Sequence, residues 1–352
     1  MNLAYAMLGQ VWGIVIPLLG GAIWVLVAAI CFLSVGGQAL HVYKPVVWAL
    51  CTGTLVIAIQ LLFHQGTEEA LKEGTYFLSW LAVVITAQSL SLRPGFLQRF
   101  AVAALAIGLA TVPYIQIDSA GGIMRGRASG TGIATPNVLG MWFGFCTLYF
   151  VFWGLQARKL ISRAAIWTAA VGCFFVVLIA VSRGPLLGVV LALVVGFRSA
   201  LKRSFVPLLT LVLSISGVYM SGVFDDWIGY YFVRGAEETG REKLYSIALE
   251  RILNAPWIGV GLGNIAILRH GTFVNPHNGL LHIALGAGIV PLICFLGYLA
   301  QAAIGALRIM RRGYVGEAAL LPPLVVFALV EIMILDFSFM SPWVVVVLGL
   351  AA

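Results

Sequence analysis

The sequence predicts an all-α polytopic membrane protein: a single transmembrane helical domain over residues 1–352 with one large outer loop. Composition is the first reason. Of 352 residues, 61% are hydrophobic and 10% charged, and the mean hydropathy is +1.03, well outside the range of water-soluble domains. The second is the recurrence of apolar runs near the length that crosses a hydrocarbon core as a helix. The third is charge. Basic residues gather in alternate loops, as the positive-inside rule requires.

Residues 3–36 form an apolar stretch longer than one span needs. Pro17 and Gly20-Gly21 divide it, so it reads as two short helices, 3–19 and 21–36. No basic segment precedes the first, which is therefore read as a retained span rather than a cleavable signal. Further spans are expected over 46–63, 75–91, 98–116, 135–155, 164–181, 184–198, 205–222, 278–307, 318–336 and 339–351, about twelve transmembrane helices in all. Cys31, Cys51, Cys146, Cys173 and Cys294 all fall inside these spans. None has metal-ligand spacing, and disulfides are not expected.

With both termini cytoplasmic, the inner loops hold twelve of the 21 basic residues, from Lys44 to Arg312, and among acids only Glu317. The other basic residues lie outside, mixed with nearly all the acidic ones. The net charge of +8 is thus a topogenic signal rather than a nucleic-acid-binding surface. The outer segments are 64–74, 117–134, a tight turn at 182–184, and the long loop 223–277, the only one large enough for a substructure of short helices.

Polar chemistry collects on the outer side, above all between Thr239 and Pro291. Thr239 and Glu242 have the spacing of a capping box; Leu244, Ala248 and Ile252 continue a helical stripe; Asn254 and Pro256 end it. Arg241, in the first turn, opposes the helix dipole. It reads either as a solvated loop arginine or as part of an anion site at a helix N-terminus. Gly259, Gly261 and Gly263 lack the strand–helix context of a dinucleotide fingerprint and read as a flexible external loop. His277 precedes a helix, with Asn278 beside it to hydrogen-bond and orient it. A lone histidine is commonly structural, and His270 and His282 compete with it; His282 is expected to pack within the helix. An imidazole there also suits acid–base work or phosphate neutralisation.

Two further groups face the same side. Arg125 and Arg127 precede Thr135-Pro136-Asn137, where Pro136 rigidifies the start of a span; an interfacial loop with a helix cap explains them equally well. Ser182-Arg183-Gly184-Pro185 joins two apolar helices by almost nothing, so Arg183 either snorkels to the outer lip or faces an anion from inside the bundle. Glu331 and Asp336 lie in or near a span, and acids there are candidates for function. Asp336 is expected at the outer lip, and Glu331 is expected to pair with a buried arginine. Arginines and a histidine at one membrane face, without a metal cluster, suggest a substrate carrying a diphosphate. The arginines would hold the phosphates and the histidine would activate a hydroxyl; the membrane implies a lipid carrier.

Four segments together resemble the O-antigen ligase and O-antigen polymerase superfamily of bacterial inner-membrane proteins. They are Arg127-Ala-Ser-Gly130 through Pro136-Asn137; Ser182-Arg183-Gly184; Arg241 through Tyr245 with Ala248-Leu249, Pro256, Gly259 and Gly261; and His277-Asn278 followed after nine residues by Gly288. They cover about residues 125–300. Pro291 stands where the ligase form has a second glycine, which is expected to kink the helix. The resemblance implies a GT-C-like glycosyltransferase of the inner membrane, with 223–277 as its large periplasmic loop. Its donor would be a glycan on undecaprenyl diphosphate. Its acceptor would be a hydroxyl of lipid A-core for a ligase, or another carrier-linked glycan for a polymerase. The chemistry would be metal-independent and inverting, with no cofactor. Carried over, Arg183 and Arg241 hold the diphosphate, His277 is general base or assists the phosphate, and Asn278, Arg127, Asn137 and Ser182 bind substrate. A lipid or solute transporter is the rival, but transporters place polar groups near the midplane of repeated halves.

Overall fold

The computed structural model describes residues 44–64, 66–91, 95–117, 128–130, 135–198, 241–269, 272–313, 316–336 and 341–352. Its helices are α1 (Lys44–Phe63), α2 (Glu68–Ser91), α3 (Phe96–Thr111), α4 (Pro136–Gln156), α5 (Leu160–Ile179), α6 (Arg183–Gly196), α7 (Arg241–Asn254), α8 (Gly279–Ala287), α9 (Ile289–Arg312), α10 (Leu321–Ile334) and α11 (Pro342–Ala351). Short 3-10 turns precede α10 at Gly316–Leu320 and lie at Val112–Tyr114 and Leu262–Asn264. Two antiparallel hairpins complete the fold: β1 (Ile115–Ile117) pairs with β2 (Ala128–Gly130), and β3 (Ile267–Arg269) with β4 (Thr272–Val274).

Five of these segments are long and apolar enough to cross a membrane: Phe96–Tyr114, Pro136–Gln156, Leu160–Ile179, Ile289–Arg312 and Gly316–Ile334. The chain is a multi-pass helical membrane protein. The expected spans 3–19, 21–36 and 205–222 lie outside the described residues; the others fall on helices.

The expected span 278–307 is the exception in form, because it is two helices. Gly288, at φ 86°, ends α8 and starts α9. A Cβ there would overlap the carbonyl of Trp257, so only glycine fits. Pro291 lies in the first turn of α9, where its missing N–H has no intrahelical partner to lose. The break belongs to Gly288, not to a kink at Pro291.

α4 is the central helix. Some 83% of its apolar window is buried, against 17% for α5. Thr135 caps it, accepting from the Val138 N–H at 3.4 Å, with Pro136 in its first turn. α4 lies against α3, α5, α6 and α10. Trp142 Nε1 donates to the Ala104 carbonyl of α3 at 3.0 Å. Phe145, Trp343 and Phe327 stack in sequence, each centroid pair 5.1 Å apart, and join α4, α11 and α10. Gly188 of α6 lets α10 approach: a Cβ there would meet the Phe327 ring at 2.7 Å. Small residues at the contact let helices close without a hydrophobic driving force from lipid.

The helix ends sort into two groups. At one end, the N–H of Gln98 reaches Glu317, Gln156 reaches the Gly316 carbonyl, and Arg198 reaches the Met310 carbonyl. This is the end rich in basic side chains. At the other lie the starts of α2, α4, α6 and α8 and the finish of α10.

Candidate active site

The C-terminal end of α10 is the surface on which the candidate segments meet. Gly279, first residue of α8, sits against it so closely that a Cβ would lie 3.2 Å from the Ile332 carbonyl. Asn278 Nδ2 donates to the Met333 carbonyl at 3.4 Å. Gly184, beside Arg183, packs on Ile334 without room for a side chain. Two residues past α10, Asp336 carries a fully buried carboxylate.

That carboxylate faces His277. His277 Nδ1 lies 3.1 Å from Asp336 Oδ2, with the imidazole 40% exposed and the aspartate 0%. Nδ1 is turned inward to the acid, so Nε2 is the nitrogen left for chemistry. His277 holds φ at 50°, a left-handed conformation that costs a non-glycine residue on the order of 1–2 kcal/mol. Asn278 offsets part of it by capping α8: its Oδ1 accepts from the N–H groups of Leu280 at 2.9 Å and Leu281 at 3.2 Å, a contact worth about 1 kcal/mol. Asn278 was expected to bond to His277 directly. Its side-chain bonds instead go to α8 and to Met333.

Arg183 opens α6 and is exposed. Val181, two residues before it, is fully buried and holds φ at 45°. A β-branched residue there is a genuine outlier. Val181 and His277 are the only non-glycine residues with positive φ among the described residues, and they flank the two site segments. Strain of this kind concentrates where function over-determines the backbone. Buried Ser182 donates from Oγ to Asn137 Oδ1 at 2.6 Å, tying the α6 start to α4.

The described part of the expected 223–277 loop is not loose. Gly259, Gly261 and Gly288 all have positive φ, and a Cβ on Gly259 would overlap the Leu285 carbonyl. Val260 N–H donates to that carbonyl at 2.6 Å, Leu262 N–H to Gln60 Oε1 at 2.8 Å, and Ile289 N–H to the Pro256 carbonyl at 2.8 Å. The glycine run, expected to be flexible, is a close-packed clasp between α1 and α8. Arg241 is half-buried at the start of α7, whose Leu244 and Ala248 are buried and which packs on α8. Thr239, Arg125, Arg127 and His270 lie outside the described residues, so the capping box has no structural description.

His282 is buried as expected, and its Nε2 lies 3.3 Å from Glu73 Oε2 of α2, an ion-pair partner that sequence reading missed. Glu331 was expected to pair with an arginine. Its Oε1 instead accepts the Ser341 N–H at 2.6 Å and joins α10 to α11. Asp336, placed at the lip from sequence, proves to be the partner of His277. Among the described residues, no three His, Cys, Asp or Glu side chains form a cluster suited to a metal ion.

The fold is that of a multi-pass helical membrane protein in which several segments close on one polar helix end. Residues 168–296 match a family model described as O-antigen ligase, which supports the O-antigen ligase superfamily and an O-antigen ligase- or polymerase-type, glycosyltransferase-like enzyme. The matched stretch contains Arg183, Arg241, His277 and Asn278. Comparison with curated proteins finds no match.

Proposed function

We propose that this chain is a periplasm-facing glycosyltransferase of the bacterial inner membrane that moves a glycan from undecaprenyl diphosphate to a hydroxyl of lipid A-core. The observation that carries the reading is the His277–Asp336 pair at 3.1 Å, held on the same α10 end that receives the Arg183 turn. In the proposed reaction, His277 Nε2 takes the proton of the acceptor hydroxyl. The acceptor oxygen attacks the anomeric carbon, the bond from that carbon to the phosphate oxygen breaks, and configuration inverts. Undecaprenyl diphosphate leaves with the bonding pair, its charge stabilised by Arg183 and Arg241. Asp336 holds the imidazole and favours the imidazolium that forms. Asn278, Asn137 and Ser182, with Arg127 by its sequence motif, are assigned to substrate binding. No metal or cofactor takes part.

A polymerase reading, in which the acceptor is a second carrier-linked glycan, uses the same chemistry. The His277-Asn278…Gly288 spacing favours the ligase. The test is a two-acceptor assay on purified protein given a carrier-linked glycan with or without lipid A-core. A single capped product requiring lipid A-core is the expected result. A product ladder formed without it identifies a polymerase, and no product with either overturns the transferase reading in favour of transport.

A further inference from the structure

α7 carries three stripes where a solvated cap helix needs two. Leu244 and Ala248 face the protein at 2% and 0% exposure. Lys243, Glu250 and Asn254 form an exposed polar flank. On the opposite flank, exposed Glu242 and Ser246 give way in the C-terminal half to Leu249, 52% exposed, and Leu253, 77%, and Trp257 just beyond the helix is 69% exposed. Exposed apolar side chains at helical spacing on one flank, with charges on the other, are the pattern of a helix lying in a membrane interface. A tryptophan at the end of such a flank suits the headgroup boundary.

The rest of the fold says what covers this flank. Ile289 N–H donates to the Pro256 carbonyl at 2.8 Å, so Trp257 adjoins the start of α9. α9 is one of the membrane-crossing helices, and its first turns expose Ile289, Val290 and Ile293. The apolar flank of α7 is therefore continuous with a lipid-facing surface. The exposed apolar residues lie toward the C-terminal half of α7, while Arg241, Glu242 and Lys243 occupy its start. The helix is about 20 Å long, so a modest tilt within the interface sets its C-terminal side chains at the hydrocarbon edge and its start at headgroup level.

We infer that α7 is an interfacial helix that inserts Leu249, Leu253 and Trp257 into the outer leaflet and so holds Arg241 at the depth of lipid phosphates. This rests on the lipid-diphosphate reading above and deepens it: the polyprenyl chain of the donor stays in the leaflet beside α7 while its diphosphate reaches Arg241 without leaving the membrane.

Two arms test it in the full chain, reconstituted in phosphatidylethanolamine–phosphatidylglycerol vesicles. A benzophenone side chain placed at Leu253 cross-links to phospholipid, and one at Asn254 does so at least fivefold less. Equal lipid cross-linking at both positions, or none at Leu253, overturns the insertion. In the second arm, Leu253→Glu with Trp257→Glu raises KM about tenfold for a long-chain polyprenyl diphosphate donor and leaves KM for a short-chain, water-soluble donor unchanged. Equal effects on both donors overturn the approach route. Leu253 and Trp257 are highly exposed, so the variants test the surface rather than packing. The cross-linking arm needs no turnover, so failure of the transferase reading would not be mistaken for failure of the insertion.

Discussion

The two ends of the helical bundle are built on different principles. At the basic end, contacts between segments are single and long: Gln98 N–H to Glu317 at 3.3 Å, Arg198 to the Met310 carbonyl at 3.4 Å, Gln156 to the Gly316 carbonyl at 3.5 Å. Its positive-φ residues are glycines, and around Gly313 and Gly316 nothing would meet an added Cβ within 4 Å. At the opposite end, Ser182 reaches Asn137 at 2.6 Å, Val260 reaches Leu285 at 2.6 Å, and buried Asp336 faces His277 at 3.1 Å. Among the described residues, both non-glycine residues with positive φ lie there. The difference teaches that charge alone does not mark function in this molecule. At the end with the most cations only the connecting turns are open; the helices behind them close tightly, since a Cβ on Gly305 would overlap the Ala351 carbonyl and one on Gly196 the Phe152 ring. The end with few cations is organised tightly, as a site that must hold geometry has to be.

Substitutions should therefore diverge between the ends. Arg183→Ala is expected to lower transfer by about a hundred- to a thousandfold, in line with losing a donor to developing charge, with expression and membrane insertion intact. Lys at this position restores only part, lacking the planar fork. Arg308→Ala, at the basic end, is expected to leave turnover within about twofold. Near-normal turnover in Arg183→Ala would remove it from the site and erase the contrast.

Asp336→Asn preserves shape but removes the charge facing His277, and is expected to reduce turnover on the order of a hundredfold or more, because the acid that fixes a general base's tautomer and stabilises its imidazolium is lost. Asp336→Glu, which keeps the charge, separates a positioning role from a packing one. Partial recovery of turnover relative to Asp336→Asn is expected, and no recovery argues for packing alone.

Backbone substitutions sharpen the comparison at smaller scale. Gly259→Ala meets both a left-handed φ and the Leu285 carbonyl, and is expected to cost about 2–4 kcal/mol. Gly313→Ala has the same φ problem with open space around it, and is expected to cost only about 1 kcal/mol. Thermal unfolding of the two variants in detergent measures the gap; equal losses would contradict the tight-versus-loose distinction. The smallest effect is expected from chelation. EDTA should leave transfer unchanged, and activity lost to the chelator and restored by Mg²⁺ or Mn²⁺ would overturn the arginine-for-metal mechanism.

The contrast also separates what the sequence makes legible. Bilayer thickness imposes a length on apolar runs, so spans such as 135–155 and 164–181 lie close to the observed Pro136–Gln156 and Leu160–Ile179. Caps are local too: Thr135 and the residues after it declare the start of α4. The helix break at Gly288 is hidden, because Ala287-Gly288-Ile289 reads as one apolar run and only the close approach of the Trp257 carbonyl reveals it. Residue types at the site are legible, since a histidine and an arginine beside glycines stand out in an apolar chain. Their partners are not. Asp336 and Glu73 meet His277 and His282 across distant parts of the chain, and no local spacing encodes those pairings.

The central claim is that the α10 end is a transfer site whose base is His277. The most direct test is the initial rate of lipid diphosphate release and glycan–acceptor formation by purified wild type and folded His277→Ala, given the same carrier-linked donor and acceptor. The account predicts coupled release and product formation by wild type and a loss of at least a hundredfold in the variant. Equal rates in the two proteins would contradict it.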